Sequence, residues 1–462
     1  MNKYFSDYLP AAMVRDLRRS WRSRGYFIVL LLALLVAAWL LITKSEICGV
    51  GLVVDAIAVL WFVVPNRAGA AVSADAKVKG TNFMMLTPLG SRRIVWSIWF
   101  SALCQLLVVG AVGALLLQWR HMVMPPAEVS GQHVLDAWIP SSVQAEWILY
   151  GVIVAIGTVM CAACIFLAQL NRFFRIVAEL VVVVYGVLWL LGNLPLLLMS
   201  ENALVEVLAS FNAWHYGIAT AEALLLLVTL LELARRSYAS PAENCSRALR
   251  VLVLLALGTV PAMYYLLPVG EEQVQMHMVY MMMYTIFVCM SDAMLPTYSL
   301  PAQAKRAWRL VPVWLQVPGL WQAGLFMTLM LGGYWCMEML WMPSWFPELA
   351  VDSSAMLRSA TGMVSVTYYL LFALLLADLI CRPSNVNRPV VCASMLLAQN
   401  FVLGVVTAIF LNSAPGVVAL IPLGAYVLTD FCEQPEQWPL WLNIGTCFLT
   451  LCALCLRGNR SR

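Results

Sequence analysis

Three carboxylates fall well inside long apolar runs of this chain: Asp55, Glu179 and Glu222. An ionisable side chain at the centre of a bilayer costs about 3 kcal/mol or more, so it normally faces a bundle interior or a water-filled path. Placed there, a carboxylate serves as a proton relay, as a cation site, or as a polar packing contact. Glu232, Asp292 and Asp378 sit nearer the ends of their runs. Two of these, Glu232 and Asp378, precede Arg236 and Arg382 by four residues, the spacing of an ion pair along one helix face.

Other side chains with chemical potential point elsewhere. His121, His133, His215 and His277 all fall at outer ends or in outer loops, without a metal-spaced pair on one helix, and are expected to be solvated or interfacial. The stretch 276–290 (MHMVYMMMYTIFVCM) offers polarizable thioethers, either to an apolar substrate or to ordinary packing. Of 13 cysteines, Cys161/Cys164 and Cys452/Cys455 have C-x-x-C spacing within apolar runs, where helix packing is the expected role. No phosphate-cradling G-x-x-x-x-G-K-[ST] loop, dinucleotide fingerprint or nucleophile elbow occurs, so no enzyme activity, metal or bound cofactor is expected in this chain.

The elements that would carry these residues are membrane spans. The 462 residues are 62% apolar and 11% charged, against about a quarter charged in a soluble domain. That composition excludes a cytosolic enzyme, a nucleic-acid binder and a secreted disulfide scaffold. Runs of roughly 20 apolar residues, the length that crosses a bilayer, occur near 26–43, 49–65, 94–117, 147–169, 176–198 and 216–234. A second set lies near 250–268, 275–295, 319–341, 361–381, 389–412 and 438–456. The short stretch 416–431 contains Pro422 and is expected to be re-entrant or interfacial. Twelve crossings with a cytoplasmic N-terminus place all but Lys44, Arg120 and Arg358 of the 28 basic residues on the cytoplasmic side. Both termini are then cytoplasmic, as in a multi-pass protein of a bacterial inner membrane. Trp96, Trp119, Trp147, Trp214, Trp341 and Trp438 lie near span ends, where anchors are expected.

Residues 1–25 form a separate element. Within it Met13, Leu17 and Trp21 recur at a spacing of four beside Arg18 and Arg22, the pattern of an amphipathic helix lying in the cytoplasmic interface. The rest divides into 26–236 and 237–462, six spans each. Each half has a basic inside loop after its second span (66–92 and 296–318) and a long outer loop after its third. An even number of crossings per half makes these parallel repeats. The expected fold is all-α, about twelve transmembrane helices in two six-helix halves with a pathway between them.

The inside loop of the first half reads SADAKVKGTNFMMLTPLGSRRIVW (73–96). Gly80 and Thr81, the apolar run Met84–Met85–Leu86, the turn Thr87–Pro88–Leu89, and then Arg92 and Arg93 before the next span resemble the permeases of the type 2 ATP-binding-cassette (ABC) transporter family. The resemblance implies that this loop and the interfacial helix dock on separate ABC ATPase subunits, which would bring ATP and magnesium. It implies export as the direction; Asp55, Glu179 and Glu222 stand as pathway candidates on their position inside the spans alone. Family permeases usually have six spans and pair with a second copy, whereas two sets are fused here. The second-half loop (291–321) lacks the Thr-Pro-Leu turn. An ion- or proton-coupled carrier and a non-transporting membrane scaffold are the rival readings.

Overall fold

The computed structural model describes residues 13–15, 17, 18, 23–43, 52, 55–77, 90–123, 143–168, 213–236, 238, 239, 245–267, 270–294, 319–341, 353–380, 388–410, 418, 423 and 438–460. Every regular element among them is helical. In unit 1 (Met1–Ser240) these are α1 (Arg24–Ile42), a π-helical segment π1 (Ala58–Val63) that continues into α2 (Val64–Lys77), α3 (Ser91–Val123), α4 (Val143–Leu167) and α5 (Ala213–Arg235). Unit 2 (Pro241–Arg462) holds α6 (Cys245–Leu266), α7 (Glu271–Met294), α8 (Leu320–Cys336) running into π2 (Met337–Trp341), α9 (Ser353–Ile380), α10 (Arg388–Phe410) and α11 (Trp438–Arg460).

Eight helices among the described residues are long and apolar enough to cross a membrane, and the chain is a multi-pass membrane protein. Helix α1 shows why lipid must be its solvent. It buries only Ala37, Leu40 and Leu41 and exposes Leu31, Leu35 and Trp39 around its circumference. Such a surface is stable against acyl chains, where a helix closes its own backbone hydrogen bonds. Polar side chains on the spans close theirs locally as well. The hydroxyls of Thr229, Thr361 and Thr450 donate to the carbonyls of Leu225, Leu357 and Thr446, four residues back, at 2.7–2.8 Å.

Cross-helix contacts give the direction of each helix. Trp99 Nε1 donates to Thr158 O and Tyr150 OH to Gly110 O, so α3 and α4 are antiparallel. Ser91, at the start of α3, meets Arg235 at the end of α5, so α5 is also antiparallel to α3. Gly69 lies against Cys164, and Leu60 against Gly157, making π1–α2 parallel to α4. In unit 2, Ser246 meets Asp292 and Thr259 meets His277, so α6 and α7 are antiparallel. Gly324 meets Leu371, Leu451 and Leu454, and Asn443 donates to Ser365, which sets α9 and α11 parallel.

Several boundaries differ from the sequence reading. The second helix does not end at 65 but runs on to Lys77, because Ala68, Ala70 and Ala71 favour helix and Pro65 is accommodated by a widened turn. Proline cannot donate to the carbonyl four residues back and its ring clashes there. Here the preceding turn is π, with Val64 N–H bonded to Val59 O. The half-buried Trp96 ring packs edge-on against Trp99 at 5.5 Å and beside Phe100 at 5.9 Å on the same helix. Met13, Leu17 and Arg18 are helical, with Met13 buried and Arg18 exposed. Trp21, Arg22, the fifth span with Glu179, residues 80–89 and most of 416–431 lie outside the described residues.

Candidate functional site

Unit 1 encloses a cavity of about 310 Å³ between α1, the second helix, α3 and α4. Its wall is almost wholly aliphatic, and into it come Asp55, Arg120 and Tyr150. This volume lies at the lower end of the range for small-molecule pockets, which pair an apolar wall with a few placed polar groups. Near its Ile42 end α1 packs Leu40 and Leu41 against Leu52 and Leu116, and the cavity extends along the helix past Ala37, Leu34, Leu30 and Phe27.

Asp55 is half-buried in that wall, and among the described residues no side chain pairs with it. Asp55 and Arg120, the latter on α3, line the same wall. Tyr150 is held by its hydroxyl, which donates to Gly110 O at 2.6 Å, and its phenol sits where a Cβ at Gly113 would be. Only glycine lets that ring lie so close to α3.

A second cluster closes the Ser91 end of unit 1. Glu232, with a side chain 7% exposed, accepts from Arg92 Nε at 2.8 Å and from Arg235 Nη1 at 3.0 Å. Arg235 Nε also donates to Ser91 Oγ at 2.8 Å. The sequence spacing points to Arg236 as the partner, but the carboxylate turns toward α3 and takes Arg92 and Arg235. Arg93 is exposed, and its carbonyl accepts from Ser97. Arg382, the expected partner of Asp378, lies outside the described residues. Glu222 is half-buried on α5 and is not part of the cavity wall that holds Asp55.

Unit 2 has two polar features of its own. Asp292 accepts from Ser246 Oγ at 2.6 Å and Arg250 Nη2 at 3.2 Å, and Arg250 lies 5.8 Å from the centroid of the Phe326 ring. A cavity of about 320 Å³ is lined by Glu338, Ser359, Tyr334 and the methionines 278, 282 and 363. His277 departs from expectation: it is buried, with Nε2 2.8 Å from Thr259 Oγ1, because α6 supplies a hydroxyl where solvent was expected. The Met-rich stretch splits by face, with Met278, Met281 and Met290 buried and Met276 and Met283 exposed.

Two site residues escaped the sequence reading. Arg120 was visible only as an exception to the basic asymmetry. Glu338 stood unnoticed in MEMLWMP, near the end of a span. Among the described residues no group of three or more His, Cys, Asp or Glu is placed to hold a metal. No family model, curated protein or solved structure matches the chain.

Proposed function

We propose that this chain is the membrane-spanning permease subunit of an ATP-driven (ABC) export system, working by alternating access. Twelve crossings form two parallel six-helix halves in a bacterial inner membrane, with both termini cytoplasmic. ATP and magnesium belong to separate ATPase subunits docked on the interfacial helix and on Gly80–Leu89. The parallel course of α4 and α5 supports the crossing at 176–198, since consecutive crossings must alternate.

The observation that carries this reading is the Arg92–Glu232–Arg235 cluster. Arg92 lies three residues after Leu89 of the Thr87–Pro88–Leu89 motif, and its guanidinium is joined to the end of α5 through Glu232. A push on the loop would therefore be felt by two membrane helices at once, as a lever between ATPase and span requires. The test replaces both Leu86 and Leu89 with Asp. The wild-type chain is expected to co-purify with an ATPase carrying a phosphate-cradling loop, identified by mass spectrometry. The double variant should insert normally and retain less than about a tenth of that partner, a loss of roughly 1.4 kcal/mol in affinity or more. A wild-type chain that brings no ATPase, or a variant that keeps it, overturns the assignment.

A second reading has its own observation: Asp55 lines a membrane cavity without a partner among the described residues, as an ion-coupling carboxylate would. A carrier coupled to protons predicts uptake driven by a pH gradient in ATP-free proteoliposomes, lowered at least about tenfold by Asp55→Asn. Flux that needs ATP and ignores this substitution removes the carrier reading.

A further inference from the structure

The cavity of unit 2 carries an assignment of its own. Its lining holds one carboxylate, Glu338, three thioethers from Met278, Met282 and Met363, the hydroxyl-bearing Ser359 and Tyr334, and no lysine or arginine. Two helices bring the methionines, α7 with a pair four residues apart on one face and α9 with the third. Glu338 comes from π2, and Ser359 of α9 lines the same wall. Tyr334 is fixed from behind, its OH 3.1 Å from Thr285 Oγ1. Arg358, next to Ser359 in sequence, is exposed and outside the wall.

We propose that this cavity is a binding site for an organic cation with an apolar body. Glu338 would meet the charge, and the thioethers would pack around the hydrophobic part. Each feature argues for that class. A negative charge amid apolar lining attracts cations strongly, because low polarity leaves the interaction little screened. Methionine adapts its flexible side chain to irregular apolar shapes and suits a surface that accepts more than one molecule. The alternative that thioethers otherwise suggest is a soft metal ion, which needs donors converging at about 2.0–2.3 Å; a cavity of about 320 Å³ suits a larger guest.

The π turn has a part in this. It widens the helix just where Glu338 enters the wall, and such turns recur at functional positions. In unit 1 the carboxylate Asp55 lines a cavity three residues before π1 begins. Both π segments end two residues before a proline in the sequence, Val63 before Pro65 and Trp341 before Pro343. The assignment is independent of how transport is powered, since binding needs no ATPase.

The test uses the full chain in nanodiscs of zwitterionic lipid, with tetraphenylphosphonium as the probe in equilibrium dialysis and protein-free discs subtracted. Saturable binding is expected, weakened at least about tenfold in Glu338→Gln and kept in Glu338→Asp, with both variants unfolding at the wild-type temperature. Tetraphenylborate, of the same shape and opposite charge, should not bind the wild-type chain saturably, and this comparison needs no variant. Equal binding of both ions, no saturable binding of the phosphonium, or indifference to Glu338→Gln would overturn the proposal. So would silver(I) binding that disappears in Met278→Leu/Met282→Leu and displaces the phosphonium, which would make the site one for a soft metal.

Discussion

Asp292→Ala should destabilise unit 2 by about 3–5 kcal/mol, the usual cost of leaving one member of a buried ion pair alone. The pair is among the driest charged features described: the side chains of Arg250 and Asp292 are 4% and 2% exposed. Asp292 also receives the Ser246 hydroxyl, so removing the carboxylate strips the acceptor from two donors at once. Both donors sit on α6 and the acceptor on α7, and Arg250 reaches the Phe326 ring of α8. Three helices thus lose a shared anchor. The measurement is the fraction of purified protein remaining monodisperse after heating, or its unfolding in a graded denaturing detergent. The paired substitution Arg250→Met/Asp292→Leu should recover most of the loss, since apolar replacement of both partners is often neutral or better. A single variant within about 1 kcal/mol of wild type would mean that the pair is solvated after all.

That pair also marks where sequence reading ran out. Hydropathy reports the free energy of transferring a window of residues into lipid, and it found α1, α4 through α8, α10 and α11 to within a few residues, while α3 and α9 run further than their apolar windows. It does not report which way a helix is turned. Asp55, Glu222 and Glu232 are alike as carboxylates in apolar runs, yet Asp55 lines a cavity, Glu232 joins α3 to α5, and Glu222 lies outside the wall that holds Asp55. Local spacing proposed Arg236 for Glu232 because only i,i+4 neighbours are visible along one helix; Arg92 is distant in sequence and close only once α3 and α5 are antiparallel. His277 failed for a related reason: it was placed by its depth in a span, and it is governed by a hydroxyl on a neighbouring helix. Pro65 was legible as a residue, but its effect on the turn before it depends on whether the chain breaks or widens there.

Gly69→Ala is expected to loosen unit 1 by about 1–3 kcal/mol, as overpacking does, although it adds only a methyl group and favours helix. A Cβ at Gly69 would lie 2.9 Å from the carbonyl oxygen of Cys164. A backbone atom within a helix has no rotamer to retreat into, so α2 and α4 must separate. This is how spans associate in lipid: burial of apolar area brings little there, and small residues allow close backbone approach. Cys161, which is fully buried, and Gly157, whose Cβ would lie 3.0 Å from Leu60 O, extend the same seam. Gly151, on the same helix α4, is the control: nothing lies within 4 Å of its added Cβ, so Gly151→Ala should be neutral or stabilising by up to about 1 kcal/mol. Opposite signs at Gly69 and Gly151, read as shifts in unfolding temperature of the purified protein, would locate the cost in the α2–α4 seam. Equal shifts would mean that these helices do not meet there. The seam also bears on the cavity, because Leu60 of π1 and Ile153 of α4 both line it and the Trp61 indole donates to Ile153 O at 2.8 Å. Separating the helices at Gly69 should therefore weaken that bond and disturb the wall that carries Asp55.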